Sequence, residues 1–337
     1  MTALALGDVH WSANPRDQYR HDFVERQLLP LIRAKRVSRC ILLGDLTDSK
    51  DKHGAVLVNR VVGHLHTIAQ LCPLHVVCGN HDFAVAGHPF FEFLGHIDNI
   101  SWWTQPTELG HASWPNTLML PHSHDWERDW PLDKIKQGGY DFIFAHATFT
   151  GARSESGREM EGVPTSIFAD DARVVAGDVH VPQRVGPVIY AGAPYRINFG
   201  DSFQPRVLLL RGDKIVSVQV GGPRKVLIDT VADDDLDRDD NTEPVVKSGD
   251  IVKVRVHLTG DEYARWGEIK DMWRAWAAEQ QVELMPLVPV LERADVRGSA
   301  PRRAEVVPDE QVLASYGRAR QVDEPTMSVG QEIAREI

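Results

Sequence analysis

The sequence predicts an α/β domain followed by a smaller α+β module. Over the first two thirds, short apolar runs alternate with helical patterns, as they do where strands and crossover helices take turns. The pattern changes near Gly221-Gly222-Pro223. Residues able to carry chemistry recur just after the apolar runs, where an α/β sheet gathers its loops at the carboxyl ends of its strands.

Strands are expected over residues 2–6, 40–43, 74–78, 142–145, 174–176, 188–191, 207–210 and 215–220. Residues 55–71 place Val58, Val61, Val62, Leu65, Ile68 and Ala69 at helical spacing, which predicts a crossover helix. An earlier helix, about 22–35, carries Pro30 inside its pattern and should kink or break there, because proline has no N–H and its ring crowds the preceding turn.

After residue 222 the pattern reads strand (224–230), acidic loop, strand (251–258), helix (about 262–281) and strand (282–291). On that helix Tyr263, Trp266, Ile269, Trp273 and Trp276 recur at three- and four-residue steps. Such a stripe usually packs on its own sheet; a surface for stacking DNA bases is the lesser reading. Three units result: 1–222 with the chemistry, 223–293 as a small α+β cap with an acidic loop, and 294–337 as a linker and helical tail.

The chain has 337 residues and a formal net charge of −11, which argues against coating nucleic acid by bulk attraction alone. Much of the excess lies in the run Asp233-Asp234-Asp235-Leu236-Asp237-Arg238-Asp239-Asp240, a solvated loop of like charges. The three cysteines, Cys40, Cys72 and Cys78, sit in or beside apolar runs and read as free thiols of a reducing compartment. The start MTALALGDVH lacks the basic, long apolar character of a secretory signal, and no stretch is apolar enough for a membrane helix. A cytoplasmic protein is expected, in the host cytoplasm if the source is viral.

Five short elements follow predicted strands: Asp8-Val9-His10, Gly44-Asp45-Leu46-Thr47-Asp48, Gly79-Asn80-His81-Asp82, Ala145-His146-Ala147 and Gly177-Asp178-Val179-His180. An isolated Asp-x-His occurs by chance; five such pieces in order, all at strand ends, do not. Two divalent cations about 3.5 to 4 Å apart can clamp a phosphate and acidify a water. Holding them that close needs a bridging carboxylate, for which Asp45 is the candidate. Asp8, His10 and His180 would complete one metal site, and Asn80, His146 and Asp178 the other. Mixed oxygen and imidazole donors suit Mn²⁺, Fe²⁺ or Zn²⁺. His81 remains free to act as general acid, with Asp82 or Asp48 orienting it or a neighbouring ligand.

The order D-x-H, G-D-x-x-D, G-N-H-D, H, G-x-x-H resembles the signature of calcineurin-like metallophosphoesterases over about residues 1–220. That resemblance implies a four-layer αββα sandwich, here with a small α+β cap. The stretch Tyr190-Ala191-Gly192-Ala193-Pro194-Tyr195-Arg196-Ile197-Asn198-Phe199-Gly200-Asp201 and the cap are similar to those of SbcD/Mre11 DNA nucleases, including phage recombination nucleases. The implied partners are DNA, an SbcC/Rad50-like ATPase subunit and a second copy in a homodimer, with no membrane. The implied cofactors are two divalent ions, Mn²⁺ first, with Fe²⁺, Zn²⁺ or Mg²⁺ as alternatives. One departure stands out. The family's last motif reads Gly-His-x-His, whereas this chain has Asp178 at the first histidine position.

His122 and His124 resemble a ligand pair but read as structural or rim residues, because the site is already filled. Arg153, Arg158, Arg184, Arg196 and Arg206 are candidates for positioning a DNA phosphate. Residues 309–337, with Val312, Leu313, Tyr316 and Val322, suit a segment that orders on a partner chain. Three functions compete: a DNA exo- and endonuclease, a phosphodiesterase or phosphatase on small molecules or proteins, and a weakly catalytic DNA-end-binding scaffold.

Overall fold

The computed structural model describes residues 2–85, 87–111, 114–231 and 245–291. The acidic run and the 294–337 tail lie outside them. The described residues up to 290 form one compact unit.

Two six-stranded sheets make the first 220 residues. In the first, the strand order is Lys214–Gln219, Arg206–Arg211, Thr2–Leu6, Arg39–Leu42, Leu74–Val77, Ile100–Trp103. In the second it is Gln183–Val185, Val188–Tyr190, Val174–Gly177, Phe142–His146, Trp114–Leu120, Thr107–His111. Alternation along each strand sorts side chains to opposite faces. Ala3 and Ala5, with Ile41, Leu43 and Val77, meet Met119, Phe144, Val175 and Leu208 in the layer between the sheets. Leu4, Leu6, Leu42 and Val76 turn the other way, onto Phe23, Ile32, Val61 and Leu65 of the helices. Leu118, Leu120, Ile143 and Val174 of the second sheet likewise pack outward on Trp130, Ile135 and Phe168. The chain is therefore an αββα sandwich with three apolar layers. Among the described residues no helix is long and apolar enough to cross a membrane.

The helix carrying Pro30 departs from regular α geometry. It runs Gln18–Phe23, widens to a π turn over Val24–Leu28, and resumes as Leu29–Ala34 with Pro30 in its first turn. Proline cannot donate to the carbonyl four residues back, and the wider turn absorbs the mismatch without breaking the helix. The strands at Phe83–Val85, His88–Pro89, Ile100–Trp103, Thr107–His111, Trp114–Leu120 and Gln183–Val185 are additions to those predicted over the first 220 residues.

A third sheet joins Lys225–Val231, Ile251–Leu258 and Glu283–Leu284, with Val288–Leu291 also paired to the second of these. The single strand expected over 282–291 is split around Pro286, which cannot donate to a ladder. Trp273 and Ile269 are buried against Val226, Ile228, Val252 and Val254, while Trp266 and Trp276 pack partly on the same core. The helix expected over 262–281 is two, Gly260–Ala264 and Trp266–Glu279; the aromatic stripe is mostly the inner face of the second, while Tyr263, on the first, is exposed.

Candidate metal centre

The four parallel strands Thr2–Leu6, Arg39–Leu42, Phe142–His146 and Val174–Gly177, and the neighbouring Leu74–Val77, all end on one side of the sandwich. Their following loops are drawn together so closely that side chains are excluded from the backbone. A Cβ on Gly44 (φ +88°) would collide with His146 Nδ1, and one on Gly177 with the Leu43 carbonyl. Of the seven non-glycine residues with positive φ among those described, four are Asp8, His10, Asp45 and Asp178. This conformation is costly for ordinary residues and is held here by the surrounding packing.

The result is a buried cluster of donor atoms. One ligand atom each from Asp8, His10 and His180, and one each from Asp8, Asp45 and His146, lie within 4.8 Å of one another. Asp8 belongs to both triads. The Nε2 atoms of His10 and His180 face each other at 3.2 Å, and His10 Nε2 is 3.5 Å from Asp45 Oδ2. His146 Nε2 lies 3.5 Å from Asp45 Oδ1, 3.6 Å from Asp178 Oδ1 and 3.0 Å from Asn80 Oδ1. His146 Nδ1 faces the Leu43 carbonyl at 2.5 Å; donating there directs the Nε2 lone pair to the cluster.

These atoms fit divalent metal. Asp8 Oδ2 is buried without a hydrogen-bond partner, and it converges with the Asp45 carboxylate and the ring nitrogens of His10, His146 and His180. An arrangement of converging acceptors is repulsive by itself and is resolved by a cation among them. Burial pushes the Asp8 carboxyl upward against the pull of His146 and His180. Burial alone would lower His146, but Asp45, Asp178 and Asp8 hold it well above the usual histidine range. His180 reaches about 9: burial opposes protonation, and Glu155 with Asp8 overcomes it. Each of these imidazoles sits in a field that favours positive charge, which bound metal would supply instead.

Asp178 is half-buried, with one oxygen toward His146 and the other accepting from the Thr148 hydroxyl. Burial would raise its carboxyl, but the His146 contact brings it down to about 2. Its backbone N–H donates to Asp8 Oδ1 at 2.9 Å, tying the two sheets' loops together.

His81 is half-buried, its ring edge-on to His10 at 5.1 Å, and its Nδ1 lies 2.8 Å from the Asp48 carbonyl. Donation there leaves Nε2 available toward a substrate. The His81 N–H donates to Asp45 Oδ1 at 2.9 Å. Asp48 places its carboxylate 3.4 Å from His10 Nδ1, which orients that ring. Asp82 is buried and accepts from the backbone N–H groups of Asp45 (3.0 Å), Leu46 (2.9 Å) and Gly79 (2.8 Å). Burial, reinforced by Asp45, pushes it up to about 6. Its contacts make it a clasp between the Asp45 and Asn80 loops.

Two participants were not apparent from sequence. Arg20, 4% exposed, grips Asp48 and the His10 carbonyl. Glu155, from a loop after His146, lies 3.0 Å from His180 Nδ1, an ion-pair distance without hydrogen-bond alignment. Neither sits in a strand-end motif, so neither carries a positional signal. The Tyr190–Asp201 stretch braces the centre: Tyr195 donates its hydroxyl to the Val9 carbonyl, and Asp201 closes the turn on the N–H groups of Ile197 and Asn198. Arg206 is spent on the carbonyls of Tyr190 and Ala191, and Arg196 on that of Phe203, while Arg153, Arg158 and Arg184 are exposed. His122 and His124 form an edge-on pair whose His122 ring is 6.2 Å from that of His146.

The chain is 21% identical over 219 residues to protein 244L of Invertebrate iridescent virus 6, which is named as a phosphoesterase; the match covers 61% of this chain and 74% of that one. It is 22% identical, also over 219 residues, to exonuclease subunit 1 of Enterobacteria phage T4. That match covers 61% of this chain and 63% of the T4 protein, less than two thirds of its length. Site and similarity agree on a metal-dependent phosphoester hydrolase. A solved structure of Yfce, a phosphoesterase from E. coli, matches 65% of this chain and 98% of its own, with 15% identity and a TM-score of 0.36. No protein-family model matches the chain.

Proposed function

We propose that the chain is a two-metal phosphodiesterase that cleaves DNA as an exo- and endonuclease in recombination or repair, resembling SbcD/Mre11 nucleases. The observation that carries this reading is the double triad sharing Asp8, with the free His81 ring alongside. Asp8, His10, Asp45 and His180 would hold one ion, and Asn80, Asp45, His146 and Asp178 the other. Bound divalent ions, Mn²⁺ foremost, would supply Lewis-acid polarisation of the phosphoryl oxygens and a water acidic enough to attack at neutral pH. His81 delivers a proton to the departing oxygen. Asp48 fixes His10, and Glu155 fixes His180. The T4 relative's name and the Tyr190–Asp201 stretch support DNA over small phosphate esters as the substrate.

Residues 223–293 are proposed as a cap, and residues 309–337 of the tail as the contact for an SbcC/Rad50-like ATPase. The test is incubation with linear duplex, single-stranded and hairpin DNA in Mn²⁺, with and without such an ATPase, and with Asp45→Ala as control. Cleavage that Asp45→Ala abolishes is expected. Hydrolysis of small diesters with every DNA left intact would favour the small-molecule phosphodiesterase; binding of DNA ends without cleavage would favour a scaffold.

A further inference from the structure

We propose that the cleft beside His122 seats the nucleobase adjoining the phosphate under attack, a specificity that rests on the reading of the chain as a DNA phosphodiesterase. The cleft has a volume of about 250 Å³ and is walled by Phe83, Gln105, Pro106, His122, Arg128 and Asp129. It adjoins the metal centre. The His122 ring stands edge-on to that of His146 with centroids 6.2 Å apart, and the His122 N–H donates to the Cys78 carbonyl, two residues before Asn80. Phe83 directly follows the Asn80-His81-Asp82 loop. The Asn80 loop, through Phe83, and the His122 loop beside His146 are therefore both continuous with the cleft wall.

Charge decides which end of a nucleotide enters. The charged side chains of the lining, Arg128 and Asp129, pair with each other at 2.7 and 3.0 Å and cancel. A phosphate gains little there and is drawn to the metal centre next door. A neutral, planar heterocycle is suited to the cleft, against the half-buried Phe83 ring and the flat faces of Pro106 and Pro121. The volume is below the roughly 300 to 1,000 Å³ typical of pockets for drug-sized ligands, so the occupant is one base with part of its sugar. His122 Nε2 is buried without a hydrogen-bond partner, and a turn of its ring toward the cleft would offer it to a polar atom on a base edge. The Thr104 hydroxyl and Gln105 amide add further donors and acceptors at the wall.

The experiment is titration calorimetry on the full chain with Mn²⁺, using deoxynucleoside 5′- and 3′-monophosphates, deoxyribose 5-phosphate and inorganic phosphate. At least one base-bearing ligand is expected to bind about tenfold or more tighter than deoxyribose phosphate, in keeping with the worth of one stacked base. Pro106→Trp, which fills the cleft, should bring that ratio close to one; His124→Ala, a milder change at the same wall, should reduce it if Pro106→Trp does not fold. Equal affinity for base-bearing and base-free ligands would overturn the proposal, as would a ratio that survives in Pro106→Trp. The titration requires no turnover. Failure of DNA cleavage therefore counts against the nuclease reading, and loss of the base-dependent ratio counts against the cleft.

Discussion

Arg20 Nη1 lies 3.0 and 2.9 Å from the two carboxylate oxygens of Asp48 and also donates to the His10 carbonyl. The Arg20 side chain is 4% exposed and that of Asp48 41%, so the pair reaches from the interior to the rim of the metal centre. Burial alone would raise the Asp48 carboxyl, but His10 and Arg20 hold it below the usual range.

Removing Arg20 should therefore act at a distance. Arg20→Met should cost about 3 kcal/mol of stability, the low end for one member of a buried pair because Asp48 stays partly solvated. It should also weaken Mn²⁺ binding, since His10 loses its support. Urea melts and calorimetry read the two effects. Arg20→Lys should recover part of both; metal affinity untouched in Arg20→Met would confine Arg20 to the scaffold.

His81 differs from its neighbours because its Nδ1 is engaged by a backbone carbonyl and its ring stands beside the ligands. His81→Ala should retain Mn²⁺ and DNA binding and lose about 10² to 10⁴ in rate, the usual worth of general acid catalysis. Loss of metal in this variant would make His81 a ligand.

Asp8 and Asp45 offer a sharper comparison. Sequence reasoning assigns the bridge to Asp45, and the geometry places Asp8 in both triads. Asp45→Ala should abolish diester hydrolysis and metal binding at both positions. Asp8→Ala should also reduce binding at both. Calorimetric stoichiometry separates them: two ions bound tightly by Asp45→Ala would remove it as the bridge.

The strand-end motifs were legible because each couples an apolar run to a polar tip, so one pattern reported both the sheet and the ligands. Asp8, His10, Asp45, Asn80, His146, Asp178 and His180 could thus be nominated from chain order, and the structure gathers them in one cluster. Arg20 was hidden because it precedes the helical pattern read over 22–35, where a lone arginine reads as solvated surface, and the helix in fact begins at Gln18. Ile100–Trp103 and Gln183–Val185 were hidden because polar residues, Ser101 in one and Gln183 and Arg184 in the other, leave no continuous apolar run to read. The π turn at Val24–Leu28 was half legible: Pro30 announced a disturbance, and packing of Val24 and Leu28 in the core decided that the helix widens there.

Asp178 stands where the resembling family has histidine. A carboxylate is a harder donor than imidazole and adds negative charge, so it should favour Mn²⁺ or Mg²⁺ over Zn²⁺. Asp178→His should keep Mn²⁺-supported activity and bind Zn²⁺ more tightly than the parent. Metal affinities unchanged in Asp178→Ala would put this residue outside the ligand set.

His75 supplies a pH dependence remote from the metals. It is 6% exposed, burial and then the Arg39 charge lower it to about 4, and the Trp103 indole N–H donates to its Nδ1 at 3.4 Å. The folded state thus keeps His75 neutral, whereas the unfolded chain takes up its proton near the ordinary value of 6.5. Because the folded value is depressed, its contribution is fully present above about pH 6.5 and is lost as pH falls toward 4. A shift of this size corresponds to ~3 kcal/mol, at roughly 1.4 kcal/mol per unit. His64 and His122 are lowered to about 4 by burial too, so the slope of the whole protein is shared among several groups. His75→Gln isolates the contribution, since glutamine keeps a hydrogen-bonding group near Trp103 but cannot take up the proton. Unfolding free energies from pH 7 to 4 should show the variant losing less stability, with a slope smaller by up to one proton. Parallel curves for the two proteins would mean that His75 is not the group whose protonation is resisted.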